Sequence, residues 1–279
     1  MPAQQDHNSL LERSLEILRT SFSTEQGWVK VHAAEALLNL GDRAVVYPRI
    51  LDDSDSWEGS HKIGYWRVLA NCAEPHERSD SLAKIEETFV DSEYPLRLTA
   101  LESLCKLGFA AAGPALEKLR GMISGSSPEV PFAYWALELS GEAGMGEKVA
   151  SLSASEEPSI RKLAAFVLRW MRCQEKGALK KLAQAAAAES CESVAYPFVL
   201  GATLALGAAT EHSEALAGGV AEILRNGSNE GRYEVCQALQ YYFRREDLWM
   251  LTPLLEHSDP DVRIGAAAAI GTLVREKLA

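Results

Sequence analysis

The sequence lacks a pairing pattern for its few cysteines. Five of them (Cys72, Cys105, Cys173, Cys191 and Cys236) stand far apart, odd in number and without a C-x-x-C pair. Neither a disulfide framework nor a thiolate zinc site is indicated, and buried or half-buried free thiols are expected. Long apolar runs are missing too: charge interrupts each of them well before the ~20 residues that a membrane-spanning helix needs. The opening MPAQQDHNSLLERSLEILR has no basic segment followed by an apolar stretch, so it does not read as a secretory signal, and a cytoplasmic location is expected. Positive charge is in deficit, with 28 Lys and Arg against 39 Asp and Glu and a net charge of -11. That balance opposes broad attraction to nucleic acid or to anionic membranes.

Catalytic motifs are equally scarce. The chain has no G-x-S-x-G turn, no Walker loop and no G-x-G-x-x-G run; GEAGMGEK (141–148) has glycines but no strand before it, and reads as a hairpin connector. Six histidines (His7, His32, His61, His76, His212 and His257) are scattered without an H-E-x-x-H pair. His32 and Glu35 lie three apart on one helical face, but two ligands without a third do not make a metal site. No metal, cofactor or catalytic residue is therefore assigned.

What the chain does have is an ordinary globular balance, 47% hydrophobic and 24% charged, and an internal repeat. An acidic or polar residue is followed by an apolar one, usually Lys or Arg, and then small and aliphatic residues at helical spacing. Clear copies are WVKVHAAEALLNLG (28–41), YPLRLTALESLCKLG (94–108), EPSIRKLAAFVLRWM (157–171) and DPDVRIGAAAAIGTL (259–273). Weaker copies begin at residues 60, 128, 194 and 230. Taking the usual basic position as an anchor gives Lys30, Lys62, Arg97, Val130, Arg161, Pro197, Arg232 and Arg263. Second amphipathic segments, such as 10–19, 81–89, 114–122, 178–186 and 248–256, lie between the copies, so each unit reads as a helical hairpin.

The residues Asp-Pro-Asp-Val-Arg (259–263), Ala266 and Ile270, echoed by Ile160, Arg161, Ala164 and Leu168, resemble those of HEAT-repeat proteins, most closely the short bacterial repeats similar to phycobilin lyases. The resemblance spans nearly the whole chain and implies an all-α fold, a right-handed α-α superhelix or α-solenoid of about eight hairpins. Residues 10–279 form its single domain behind a flexible stretch at 1–9. It further implies that the anchor arginines bond acidic groups at the preceding turn, with Asp259 or Asp261 capping the helix and neutralising Arg263. As the last unit, the helix from Pro260 has no successor on its far side, and its four alanines, Ala266 to Ala269, leave little apolar area at that open end. A HEAT-like hydroxylase family holds iron with repeated His-Glu pairs. This chain has one, His76 and Glu77, beside Pro75 in an expected loop, which does not support that activity.

In each second helix the positions one before and three, six and seven after the anchor are apolar or small and form the core; small residues at plus-three (Ala33, Ala100, Ala133, Ala164, Ala266) let hairpins approach closely. Positions plus-one, plus-five and plus-eight should then face the concave side. Along them lie Arg67, Glu102, Trp135, Glu138, Lys162, Phe166, Arg169 and Tyr233, flanked by Trp66, Tyr134 and Trp170, which also suit grooves between hairpins. Aromatic faces beside guanidinium groups favour stacking, cation-π contact and carboxylate recognition. Charge agrees: the eight inner-helix windows hold 13 Lys and Arg against 6 Asp and Glu. The expectation is a non-enzymatic binding scaffold whose groove takes an acidic or carboxylate-bearing protein or peptide segment, with no membrane or nucleic-acid partner. The resemblance also implies an alternative, a bilin-lyase-like or other small-molecule-handling protein, in which Arg67, Lys162 and Arg169 meet propionates. A DNA-glycosylase-like reading suits the net acidity less.

Overall fold

A computed structural model describes residues 7–125, 127–208, 213–241 and 248–277, in which helices joined by turns and short connectors are the only regular structure, with no strand among them. One series of helices comprises α2 (Gly27–Asn39), α4 (Gly59–Cys72), α6 (Leu96–Lys106), α8 (Val130–Leu139), α10 (Pro158–Met171), α12 (Tyr196–Ala205), α14 (Asn229–Leu239) and α16 (Pro260–Lys277). These are the repeat copies read in the sequence. Between them run α1 (His7–Thr24), α3 (Arg43–Asp52), α5 (Pro75–Asp91), α7 (Gly113–Met122), α9 (Met145–Leu152), α11 (Lys176–Ala188), α13 (Ser213–Asn226) and the short α15 (Leu248–Leu251). Helix α1 begins at His7, inside the stretch 1–9 expected to be flexible; residues 1–6 lie outside the described residues.

Local chemistry punctuates the helices. Proline occupies the first turn of α5, α7, α8, α10 and α12, where its fixed φ suits a helix start and its missing N–H is not needed. Helices α2, α6, α8 and α12 stop at Gly41, Gly108, Gly141 and Gly207, all at positive φ. In each, the residue after the glycine donates its N–H back to the carbonyl five residues earlier, as in Asp42 to Leu37 and Ala208 to Thr203. Gly144, also at positive φ, precedes α9, so the connector read at 141–148 ends there and Met145 to Lys148 open the helix. His76 and Glu77 lie not in a loop but in the first turn of α5, where the Glu77 carboxylate accepts from the Glu74 N–H at 3.2 Å and from the Tyr47 hydroxyl at 2.7 Å.

Each helix of the first series packs on the next, and the series closes: α16 packs on α2 as well as on α14, and α1 lies along α16. The core shows the same closure, because one apolar cluster joins Leu18, Phe22, Leu37 and Leu69 with Leu200, Val235, Ala267 and Ile270. A second cluster fills the units between, and half-buried Trp66 touches both. The open end expected beyond α16 is therefore covered. Ala266, Ala267, Ala268 and Ala269 are all buried, and a Cβ on Gly271 would stand 2.7 Å from Leu40. Small side chains here allow contact with α1, α2 and α14 at once, rather than limiting exposure at a free end.

Anchor chemistry follows the expectation in part. Asp259 does cap α16, accepting from the Val262 N–H at 3.1 Å, but Arg263 donates to the carbonyls of His257 and Ser258 and has Glu25 at 3.6 Å. Arg97 does keep an acidic partner at the preceding turn, Glu93 at 3.0 Å, and like Arg161 it also reaches forward to the next unit, where the two clamp Glu129 and Glu189.

Candidate functional site

Side chains from alternate helices of the closed series meet over the helix between them. Arg169 on α10 donates from Nε and Nη2 to the two oxygens of Glu234 on α14, each at 3.0 Å, passing over α12. Lys162 takes the same route to Glu230 at 2.5 Å and lies 4.7 Å above the Phe198 ring. His32 on α2 stacks on Tyr233 on α14, centroids 5.1 Å apart, across α16. Lys106 on α6 reaches over α8 to α10, 5.3 Å from the Phe166 ring centre and 4.6 Å from that of Trp170. At α16 the approach is close enough that a Cβ on Gly265 would lie 2.9 Å from the Tyr233 ring.

The result is a buried charged centre. Arg67, 2% exposed, donates to Glu35 and to the Ser103 hydroxyl, and its guanidinium lies over Trp28. Burial works to raise the pKa of Glu35, but Arg67 and Lys106 outweigh it and hold the carboxyl below its ordinary value. Glu102 behaves alike: burial opposes ionisation, and Lys106 at 2.6 Å together with Arg67 prevails. At Glu234 burial wins and pushes the pKa up despite Arg169. Tyr233 is raised well above its usual value by burial, with Glu35 and Asp261 adding to it. His32 bonds Asp261 through Nδ1 at 2.8 Å, so His32 and Glu35, adjacent on their helix, are held by different partners.

Of the residues expected on the concave strip, Arg67, Glu102, Lys162, Phe166, Arg169 and Tyr233 come together here with Trp170. Trp135 does not face an open groove: it is 5% exposed within the second core cluster, against which Tyr134 also packs. Glu138 is turned away to the connector, accepting the Gly146 N–H at 3.0 Å at the start of α9. Sequence reasoning passed over Lys106 and Glu234. Lys106 stands one helical turn after Glu102 on the same face, a spacing that could have found it; Glu234 falls one position past the plus-one residue Tyr233, and nothing local singles it out.

Two other features lie away from this centre. A concavity of about 880 Å³ opens between α9, α10 and α11, lined by Ala154, Pro158, Lys181, Ala185 and Ala188, with buried Ser153 among its walls. Cys191 is exposed, unlike the other four cysteines, and burial pushes the Cys236 thiol up to about 12.

Fold and site together define an all-helical protein whose helices pack in a closed series around a charged and aromatic centre. No family model, curated protein or solved structure matches the chain. No helix among the described residues is long and apolar enough to cross a membrane.

Proposed function

We propose that the protein is a non-enzymatic binding scaffold, an α-solenoid of eight HEAT-type hairpins drawn round until its ends meet, which receives an acidic or carboxylate-bearing protein segment at its centre. One observation carries this reading: Lys106 lies across Phe166 and Trp170 beside Arg169, placing two cations against two aromatic faces that remain partly accessible. Such a surface attracts carboxylates by charge and holds the attached chain by stacking. Lys162, with 23% of its side chain exposed, extends the cationic character towards solvent.

The test is the anisotropy of a labelled glutamate-rich peptide titrated with the protein at low and moderate salt. Binding is expected, weakened by salt and by about tenfold in Lys106→Gln, the scale of one charged contact. Lys62→Gln, at an exposed position outside the centre, should bind as the parent does. Absence of binding, or equal weakening by both substitutions, overturns the reading.

A further inference from the structure

Arg169 is 3% exposed, and one edge of its guanidinium is committed to Glu234. Its Nη1 is buried and donates to nothing among the described residues. A guanidinium carries five N–H donors in one rigid plane. The edge left over, Nη1 beside Nη2, therefore repeats the fork that already grips a carboxylate. The indole Nε1 of Trp170, the next residue, is likewise buried without an acceptor. Lys106 stands 4.6 Å from the centre of that same indole, and its one ion-pair partner among the described residues is Glu102. An ammonium has three donors, so part of its capacity is also free.

Natural proteins leave few buried donors unsatisfied, because each costs about 1–3 kcal/mol. Here two fall on consecutive residues, with a third donor group above them, and the neighbouring carboxylates Glu102 and Glu234 are already engaged. The geometry points to a subsite for a single carboxylate group. One oxygen is taken by Arg169 Nη1 and the other by Trp170 Nε1 and Lys106 Nζ, while the ligand's remaining atoms lie over Phe166. A singly charged group upsets the local balance least. Arg169 and Lys106 are already balanced by Glu234 and Glu102, so any entering anion adds uncompensated charge to a buried place, and a carboxylate adds half as much as a dianion such as phosphate. This rests on the binding reading above and names the group that enters.

The experiment follows the indole N–H resonances of the ¹⁵N-labelled protein, which has six tryptophans, with Trp170→Phe identifying the resonance concerned. Acetate and benzoate are the carboxylate probes, acetamide is their neutral counterpart, and inorganic phosphate is the dianion. The carboxylates should move the Trp170 resonance saturably and leave the other indoles in place. Lys106→Gln should raise their apparent Kd roughly tenfold. A Trp170 resonance that neither carboxylate moves, or that acetamide or phosphate moves as strongly, overturns the subsite and leaves water as the acceptor. The two proposals fail separately. If carboxylates move Trp170 but the acidic peptide does not bind, the subsite stands without the protein partner. If the peptide binds parent and Trp170→Phe equally and no carboxylate moves the resonance, the scaffold reading stands without the subsite.

Discussion

Arg97 and Arg161 show what the recurrent basic residue contributes. Arg97 grips both oxygens of Glu129 at 2.7 Å, and Arg161 does the same with Glu189. Each carboxylate belongs to the following unit, so the clamp ties neighbouring units together, while Arg97 also closes the turn before its own helix through Glu93 at 3.0 Å. That these positions are structural was legible from their recurrence. Which acid each would choose was not, because a long side chain reaching between units depends on how the units stack. The hydrogen bond from Arg97 lowers the pKa of Glu129 below its ordinary value of 4.5, against the opposing effect of burial. A depressed carboxyl contributes stability that is fully present above the unfolded value and is lost as pH falls through the folded one. Glu129→Gln should therefore cost about 1–3 kcal/mol at neutral pH. Its deficit relative to the parent should shrink as the medium is acidified below the ordinary carboxyl range. Urea denaturation of both proteins at neutral and acid pH measures the difference; a deficit that does not change with pH assigns it to packing instead.

At the scale of elements, helices were legible wherever small and aliphatic residues recur at 3.6-residue spacing, and their ends were written in proline and glycine. The direction each face takes was less legible. Trp135 and Arg67 occupy equivalent positions in their repeats, yet Trp135 is sealed into the apolar core while Arg67 joins the charged centre. A wheel drawn for one helix cannot tell how far its neighbours crowd it. Glycine shows how tight that crowding is. A Cβ on Gly265 of α16 would lie 2.9 Å from the Tyr233 ring and 3.2 Å from the Cys236 Cβ, whereas one on Gly218 of α13 would meet nothing within 4 Å. Gly265→Ala should therefore destabilise by about 1–3 kcal/mol through overpacking. Gly218→Ala should stabilise by roughly 0.5–1 kcal/mol, since alanine restricts the unfolded chain and favours helix. Thermal melts of the two variants are expected to shift in opposite directions. Equal shifts would mean that α16 has room to move away from α14.

For the whole molecule, the alternation of helices was readable but the closure of their series was not, because closure depends on small rotations accumulated along successive helices, and no single helix encodes their sum. The four alanines of α16 illustrate the limit. They fit an exposed end and a crowded junction equally well, and only the approach of α1 and α2 decides between the two. The junction is substantial. Leu18 and Phe22 of α1 are fully buried in a cluster shared with α16, and His32 on α2 bonds Asp261 across it. A closed series has no privileged first unit, so the chain should tolerate being opened elsewhere. A circular permutant that begins in the connector between α7 and α8, with the original ends joined by a flexible linker, keeps every inter-helix contact except the continuity of that connector. It should show the parent's helical circular dichroism and unfold in one cooperative transition within a few degrees of the parent, as expected when no packed contact is lost. An open superhelix predicts otherwise: joining ends that stand apart strains the chain or drives exchange between molecules. A permutant that aggregates, forms dimers or melts in two separate steps would therefore show that α1 and α16 do not meet as described.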